Sequence, residues 1–401
     1  MAQSVELDLH GRHRRVMAEW SPLFYSEPLE VVSGRGREVV AGDGRTYLDF
    51  YGGVAVNLLG YGDHELEEAV RAQLSSGVVH CSTFYLHRRQ VELAELIAAR
   101  SGIDDPAVFF TCSGSEAVEA ALLAVREYRK AERVVALEGS YHGRTLGALS
   151  VTGQRGWHGR VDAPLPVTFL SEGQDAREVV GPDVAALIAE PVQGVAGAVP
   201  LAPGRLRECQ EALSAADVPL IVDEVQTGWG RTGRWWGYQW HGVRPDVIVF
   251  AKGVGGGLTI GGVVGRRAIL DALPMPSIST FGGGPLSAAA ALCVVRAVES
   301  RGLVKRAGRL GRLIAHGVRR GGRVRVQGQG LLLGVTCHDE AGRPDAPFAA
   351  SVHEECRARG LLVGLGGTHG NCLRLMPPLT LTEEEARRGT EALVASVAAV
   401  G

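Results

Sequence analysis

The polar and apolar positions fall into two regimes along the chain. Residues 31–50 alternate between polar and apolar side chains and contain Gly42-Asp43-Gly44, a pattern that predicts strands joined by a tight turn. From about residue 64 the alternation gives way to short, nearly continuous apolar runs at 107–111, 133–137, 184–189, 219–222, 246–251 and 261–264. Segments with helical spacing lie between them, such as 116–131 and 205–216. Strands that are apolar on both sides need cover on both faces, so the pattern predicts an α/β protein with a mostly parallel sheet between helical layers. After about residue 286 come a long apolar helix (286–299), a basic helix (304–319), short strands near 324–335, a helix at 349–359 and a last one at 382–400. Thr382 followed by Glu383-Glu384-Glu385 is a capping-box start. This second part reads as a smaller α+β domain, and no internal repeat or low-complexity linker separates it from the first.

Composition narrows the classes. Of 401 residues, 45% are hydrophobic and 21% charged, which suits a folded globular chain. A formal charge of −2 gives no broad pull toward nucleic acid or an anionic membrane. No apolar run reaches the roughly 18 residues of a membrane span, and residues 1–15 lack the apolar stretch of a signal peptide. Seven scattered cysteines without a Cys-x-x-Cys pair indicate a reducing, intracellular setting and no metal site. Of the 42 Lys and Arg residues only Lys130, Lys252 and Lys305 are lysines, so chemistry that needs an amine has three candidates.

In a wound parallel sheet, ligands bind off the carboxyl ends of the strands. The run at 107–111 leads into Cys112-Ser113-Gly114-Ser115-Glu116 and a helix, where free N–H groups, hydroxyls and the positive helix end suit a phosphate. An ordinary serine cap is the alternative. The run at 219–222 ends in Asp223, a carboxylate that must be paired with a backbone donor, a metal or a protonated ring nitrogen. No His or Cys stands at metal-ligand spacing beside it. The run at 246–251 ends in Lys252 followed by Gly253, Gly255, Gly256 and Gly257. A desolvated lysine there has a lowered pKa and becomes a nucleophile; a snorkelling lysine is the alternative. Lys130 and Lys305 sit on charged helical faces. A phosphate cradle, a buried carboxylate and a buried amine at three adjacent strand ends are what pyridoxal 5'-phosphate needs. A dinucleotide oxidoreductase lacks its acidic ribose partner here.

With those residues in view, the chain resembles the class III (ornithine/ω-amino-acid type) pyridoxal-phosphate aminotransferases over nearly its whole length. The matching stretches are Ser113-Gly114-Ser115-Glu116-Ala117, Tyr141-His142-Gly143-Arg144-Thr145, Glu190-Pro191-Val192-Gln193-Gly194, Asp223-Glu224-Val225-Gln226-Thr227-Gly228, Ala251-Lys252-Gly253, Thr280-Phe281-Gly282-Gly283 and Arg374-Leu375-Met376-Pro377-Pro378-Leu379. The resemblance implies a fold-type I transferase with a mostly parallel seven-stranded sheet. It places the large domain at 51–290 and the small domain at 1–50 plus 291–401. It implies Lys252 as the Schiff-base lysine and Asp223 as the partner of the pyridine nitrogen. Gly114 and Ser115 would hold the phosphate, Tyr141 would stack on the ring, Gln226 would contact the ring hydroxyl, and His142 and Glu190 would complete the cofactor site. Thr280 would reach the phosphate of the neighbouring subunit, which implies a homodimer with sites at the interface; the expected setting is cytoplasmic. Arg374 and Arg144 would meet substrate carboxylates, with Val54 and Val195 also at the substrate.

The departures set further expectations. Where family members carry a Gly-His-x-His-Pro-like stretch, this chain reads Gly60-Tyr61-Gly62-Asp63-His64, and an aromatic of some members is replaced by Val54. Glutamate-using members have Glu after Gln-Gly; here it is Val195. Together with Gly360-Leu361-Leu362-Val363-Gly364, this looks most like the alanine–glyoxylate (type 2) branch. The expected reaction moves an amino group from an amino acid or ω-amino acid to a small 2-oxo acid. Val195 makes the pocket more apolar and favours pyruvate or glyoxylate over 2-oxoglutarate, and Arg144, which could hold the far carboxylate of 2-oxoglutarate, is discounted on the premise that it is paired within the protein. Racemase, aminomutase or phospho-lyase chemistry on the same scaffold, and a catalytically silent binding protein, are the rivals.

Overall fold

The computed structural model describes residues 8–161, 164–318 and 323–401. Seven strands form its central sheet: β1 (Pro106–Thr111), β2 (Arg133–Leu137), β3 (Val167–Leu170), β4 (Val184–Ala189), β5 (Leu220–Asp223), β6 (Val247–Phe250) and β7 (Gly261–Arg266). Their spatial order is β1-β7-β6-β5-β4-β2-β3. Six run parallel, and β7 is antiparallel to both neighbours. The connection from β6 to β7 is too short for a crossover helix, so the chain turns back on itself, and Lys252 lies in that reversal. The sequence pattern found every strand but β3, whose first three residues are only half-buried at the sheet edge.

Alternation explains the two-sided core. Val134, Ala136, Ile221, Val247 and Val249 pack on one face with Ala117, Val118, Ala121 and Val125 of the helix Gly114–Arg129. Val135, Leu137, Val222, Ile248 and Phe250 pack on the other, in a cluster with the helix Pro285–Ser300.

The expected hairpin is present: Glu38–Ala41 pairs with Thr46–Asp49, and Val31–Arg35 adds a third strand. Leu361–Leu362 then joins that sheet beside Leu48 and Asp49, tying the two ends of the chain together. A second four-stranded sheet carries Val324–Gln329, Leu332–Cys337, Gly364–Gly366 and Cys372–Leu375. The basic helix is Leu303–Val318; the expected end at Arg319 lies outside the described residues. The last helix, Glu383–Val400, has the predicted capping box between Thr382 and Glu385.

The three motif-bearing strand ends are not all neighbours. β5 and β6 are adjacent, but β7 separates β6 from β1. Glycine at the start of β7 closes that gap: a Cβ on Gly261 would lie 2.6 Å from the carbonyl oxygen of Ser113. The cradle therefore reaches Lys252 across a strand with no side chain in the way.

Candidate active site

The carboxyl ends of the parallel strands surround a cavity of about 200 Å³. Ser113, Gly114 and Ser115 line it after β1, Tyr141, His142 and Gly143 after β2, and Glu190 after β4. Asp223, Val225 and Gln226 come from β5 and the turn beyond it, and Lys252 follows β6. Parallel register accounts for the closest approach, because Asp223 pairs with Val249, three residues before Lys252.

Lys252 has φ +50, a left-handed conformation that is strained for a side chain and frequent at functional sites. Its turn packs tightly, since a Cβ on Gly253 would sit 2.7 Å from Leu58. Burial drives the Lys252 amine down to about 8 from its ordinary 10.5; the negative charges of Asp223 and Glu190 oppose the shift and Arg374 adds to it. Lys130 is exposed, in a bond to Glu127, as its sequence context predicted.

Asp223 is buried, with Oδ1 accepting from the Val225 N–H at 3.0 Å and Oδ2 lying 2.8 Å from His142 Nδ1. His142 therefore holds Asp223 through Nδ1, while its Nε2 is buried without a partner. Glu190 accepts from the backbone N–H of Tyr141 at 2.9 Å and of Gly194 at 3.0 Å, so it ties two loops to the cavity wall. Burial pushes its carboxyl up.

At the cradle, the Ser113 side chain caps the 114–129 helix through the Glu116 N–H, and Ser115 Oγ accepts from the Arg144 N–H at 3.2 Å. The first-turn N–H groups of Gly114 and Ser115 have no acceptor within the helix. A Cβ on Gly114 would lie 3.2 Å from Val225, so glycine there permits the close approach.

Arg374, on the strand Cys372–Leu375, is 7% exposed, and no carboxylate lies within ion-pair distance of it among the described residues. Its Nη2 donates to Gln226 Oε1 at 2.8 Å, and its Nε is buried without a partner. Gln226, expected at the ring hydroxyl, thus commits its carbonyl oxygen to Arg374. The ring of Tyr51 lies 5.9 Å from the Arg374 guanidinium, a contact sequence reasoning missed because nothing local marks Tyr51.

Arg374 and four further expected residues lie off this lining. Thr280 and Arg144 are exposed, and Val54 and Val195 are half-buried. The Arg144 side chain forms no ion pair among the described residues, which corrects the premise that it is paired internally; its charge acts on Tyr141 instead. Val54 and Ala55 have φ +64 and +65, continuing the left-handed turn begun by Gly52 and Gly53.

A parallel sheet that delivers a buried amine, a buried carboxylate and an open helix start to one cavity defines a fold-type I pyridoxal-phosphate enzyme. The chain belongs to the class-III aminotransferases, whose family model matches residues 24–397. It is 39% identical over 376 residues to an acetylornithine aminotransferase of Mycolicibacterium smegmatis, covering 92% of this chain and 93% of that one. Among solved structures, an Arthrobacter phospholyase in complex with phosphoethanolamine is 31% identical with a TM-score of 0.87, over 98% of this chain and 99% of that one. The ornithine aminotransferase of Toxoplasma gondii ME49 is 28% identical with a TM-score of 0.88, over 98% and 94%. The relative from Mycolicibacterium is thus named for an ornithine derivative and not for the alanine–glyoxylate branch. The enzyme is a pyridoxal-phosphate-dependent aminotransferase, and its cavity fits that cofactor. The unbonded N–H groups at the helix start, the side-chain-free approach at Gly114 and the orphaned His142 Nε2 all call for a polar ligand.

Proposed function

We propose that this aminotransferase takes its amino group from an amino acid whose carboxylate stands beside the reacting carbon, and passes it to a 2-oxo acid. Arg374 carries the reading. A buried guanidinium that, among the described residues, meets the neutral Gln226, the Tyr51 ring and a weak sulfur contact to Met376 but no carboxylate, with Nε unsatisfied, needs an anion. Val195 stands where a glutamate would otherwise neutralise it.

The cofactor supplies an aldehyde that exchanges amines and an electron-withdrawing ring that acidifies the substrate carbon. In this reading Lys252 Nζ would hold the cofactor's aldehyde, and its lowered pKa would suit it to carry the substrate-carbon proton as base and acid. Asp223, braced by His142 and the Val225 N–H, presents negative charge to the ring nitrogen. Gly114 and Ser115 would hold the phosphate and Tyr141 would cover the ring face. The Gln226 amide N–H would meet the ring hydroxyl, while its oxygen accepts from Arg374. Thr280, exposed on one chain, serves the neighbouring subunit of a homodimer. Seven free thiols suit a cytoplasmic setting.

Val195 favours a small acceptor such as pyruvate or glyoxylate. The unpaired Arg144 offers a second cation for 2-oxoglutarate, so the comparison of these acids decides the acceptor. The donor test uses cofactor-loaded enzyme and single-turnover formation of the oxo product. α-Amino acids are expected to react fastest and simple terminal amines slowly. Faster reaction of ornithine-type ω-amino acids, the class named in the relatives, would overturn the proposal. Racemised donor or released phosphate in place of an oxo product would point to the other chemistries of this scaffold.

A further inference from the structure

Arg374 stands opposite glycine on both flanking strands. It pairs in register with Gly334 of Leu332–Cys337 and with Gly364 of Gly364–Gly366. Residues directly opposite each other in antiparallel strands project from the same face, so each glycine leaves a slot beside the Arg374 side chain. Another part of the chain fills each slot. A Cβ on Gly334 would collide with the Gly197 carbonyl oxygen, in the loop that carries Val195. A Cβ on Gly364 would collide with the ring of Tyr51. That ring lies 5.9 Å from the Arg374 guanidinium, within reach of a cation–π contact.

The backbone around Tyr51 keeps the ring there. The Phe50 carbonyl accepts from the Met376 N–H at 2.6 Å, and a Cβ on Gly52 would lie 2.5 Å from the Met376 carbonyl oxygen. Tyr51 is therefore fastened on both sides to a residue two places beyond Arg374. Its own N–H donates to Asp49 Oδ1 at 2.7 Å. Its side chain packs in a cluster with Val54, Ala55, Val192, Ala198, Leu332 and Met376, which joins the 51–55 turn to the loop of Val195.

We propose, on the reading that Arg374 receives the donor carboxylate, that Tyr51 is its positioning residue. By filling the slot opposite Gly364, the ring denies the Arg374 side chain a retreat across the strand and keeps its fork at Gln226, where the carboxylate is to arrive. An arginine free to wander must be ordered when the anion binds, a cost that this placement removes beforehand. Tyr51 acts through Arg374 and takes no part in proton transfer. It therefore governs how well a carboxylated donor binds, and not how fast the bound donor reacts.

The test uses cofactor-loaded enzyme and pairs of amines that differ only by the carboxylate: L-alanine with ethylamine, L-leucine with isopentylamine, and L-phenylalanine with phenethylamine. Single-turnover conversion of the bound cofactor gives a half-saturation concentration and a limiting rate for each. Tyr51→Ala opens the slot, and Gly364→Ala displaces the ring from the other side with Tyr51 still in the chain. Each is expected to raise half-saturation by the amino acids about three- to tenfold, as ordering one long side chain implies. Limiting rates, and the reaction of the carboxylate-free amines, should change by less than about twofold. Tyr51→Phe keeps the ring and should keep the selection for the amino acids. Equal weakening of both members of each pair would show a general structural role and overturn the proposal, as would unchanged half-saturation in Tyr51→Ala and Gly364→Ala. Arg374→Leu separates the two assignments. If the amino acids hold no advantage over their amines in the parent enzyme, or keep it in Arg374→Leu, the donor reading falls and the role of Tyr51 with it. If Arg374→Leu removes the advantage while Tyr51→Ala and Gly364→Ala leave it whole, the role of Tyr51 alone falls.

Discussion

The amine of Lys252 pays for burial in its protonated form, and that fixes the sign of its pH dependence. Its folded pKa of about 8 lies below the ordinary 10.5, so between these values the unfolded chain binds more protons than the folded one. The penalty is full below pH 8 and disappears as pH rises toward 10.5. Cofactor-free protein is therefore expected to gain stability over that window, and Lys252→Ala protein to lack the gain, as read by denaturant midpoints. Capture of added cofactor, which needs the neutral amine, should rise through about pH 8 and level off; a continued rise to pH 10 would show a solvated lysine. Asp223→Asn keeps shape and loses charge. Proton abstraction should slow at least about 100-fold, ~2.7 kcal/mol, in single-turnover measurements, and an unchanged rate would remove Asp223 from the ring nitrogen.

At the scale of elements, the turn after β5 depends on a residue outside the cavity. Glu224 is fully buried and accepts from Thr227 Oγ1 at 2.5 Å and from the N–H groups of Gly237 and Tyr238 at 2.8 and 2.7 Å. It thereby anchors the segment that holds Asp223 and Gln226 to the 237–240 turn, and burial lifts its carboxyl to about 7. Glu224→Ala orphans three donors and should cost about 3 kcal/mol, seen as a lower thermal midpoint of the loaded enzyme. The capping box at Thr382 is a smaller case. Thr382→Ala should cost about 1 kcal/mol, read in the same way, because Glu385 keeps its pair with Arg37. Both features stand in the sequence, yet only the cap could be recognised there. A cap is a contact three residues apart, whereas the backbone donors to Glu224 come from 13 and 14 residues away.

For the whole molecule, the shared-site proposal has a direct test. If Lys252 of one chain and Thr280 of its neighbour form one site, a hybrid of Lys252→Ala and Thr280→Ala chains contains one intact site. Equal mixing should then restore about a quarter of wild-type activity by statistics in a two-fold dimer, once exchange of subunits is verified. No gain after verified exchange would place Thr280 in its own chain's site or in none. Phe281 and Ile278, exposed beside Thr280, belong to the same surface.

The sequence by itself determined the layered α/β class, six of the seven sheet strands, and the three strand ends where the chemistry concentrates. Those signals are local: apolar runs report burial, and a lysine or aspartate closing such a run reports a polar task. Tertiary structure decided the rest. It placed antiparallel β7 between β6 and β1, because a ten-residue return is too short to cross over. It joined Arg374 to Gln226 across 148 residues and set Tyr51 over the guanidinium. It left Arg144 exposed, where the sequence had suggested an internal pair. Pairings of this kind depend on which surfaces the sheets bring together, and no spacing along a chain encodes the distance between residues so far apart in it.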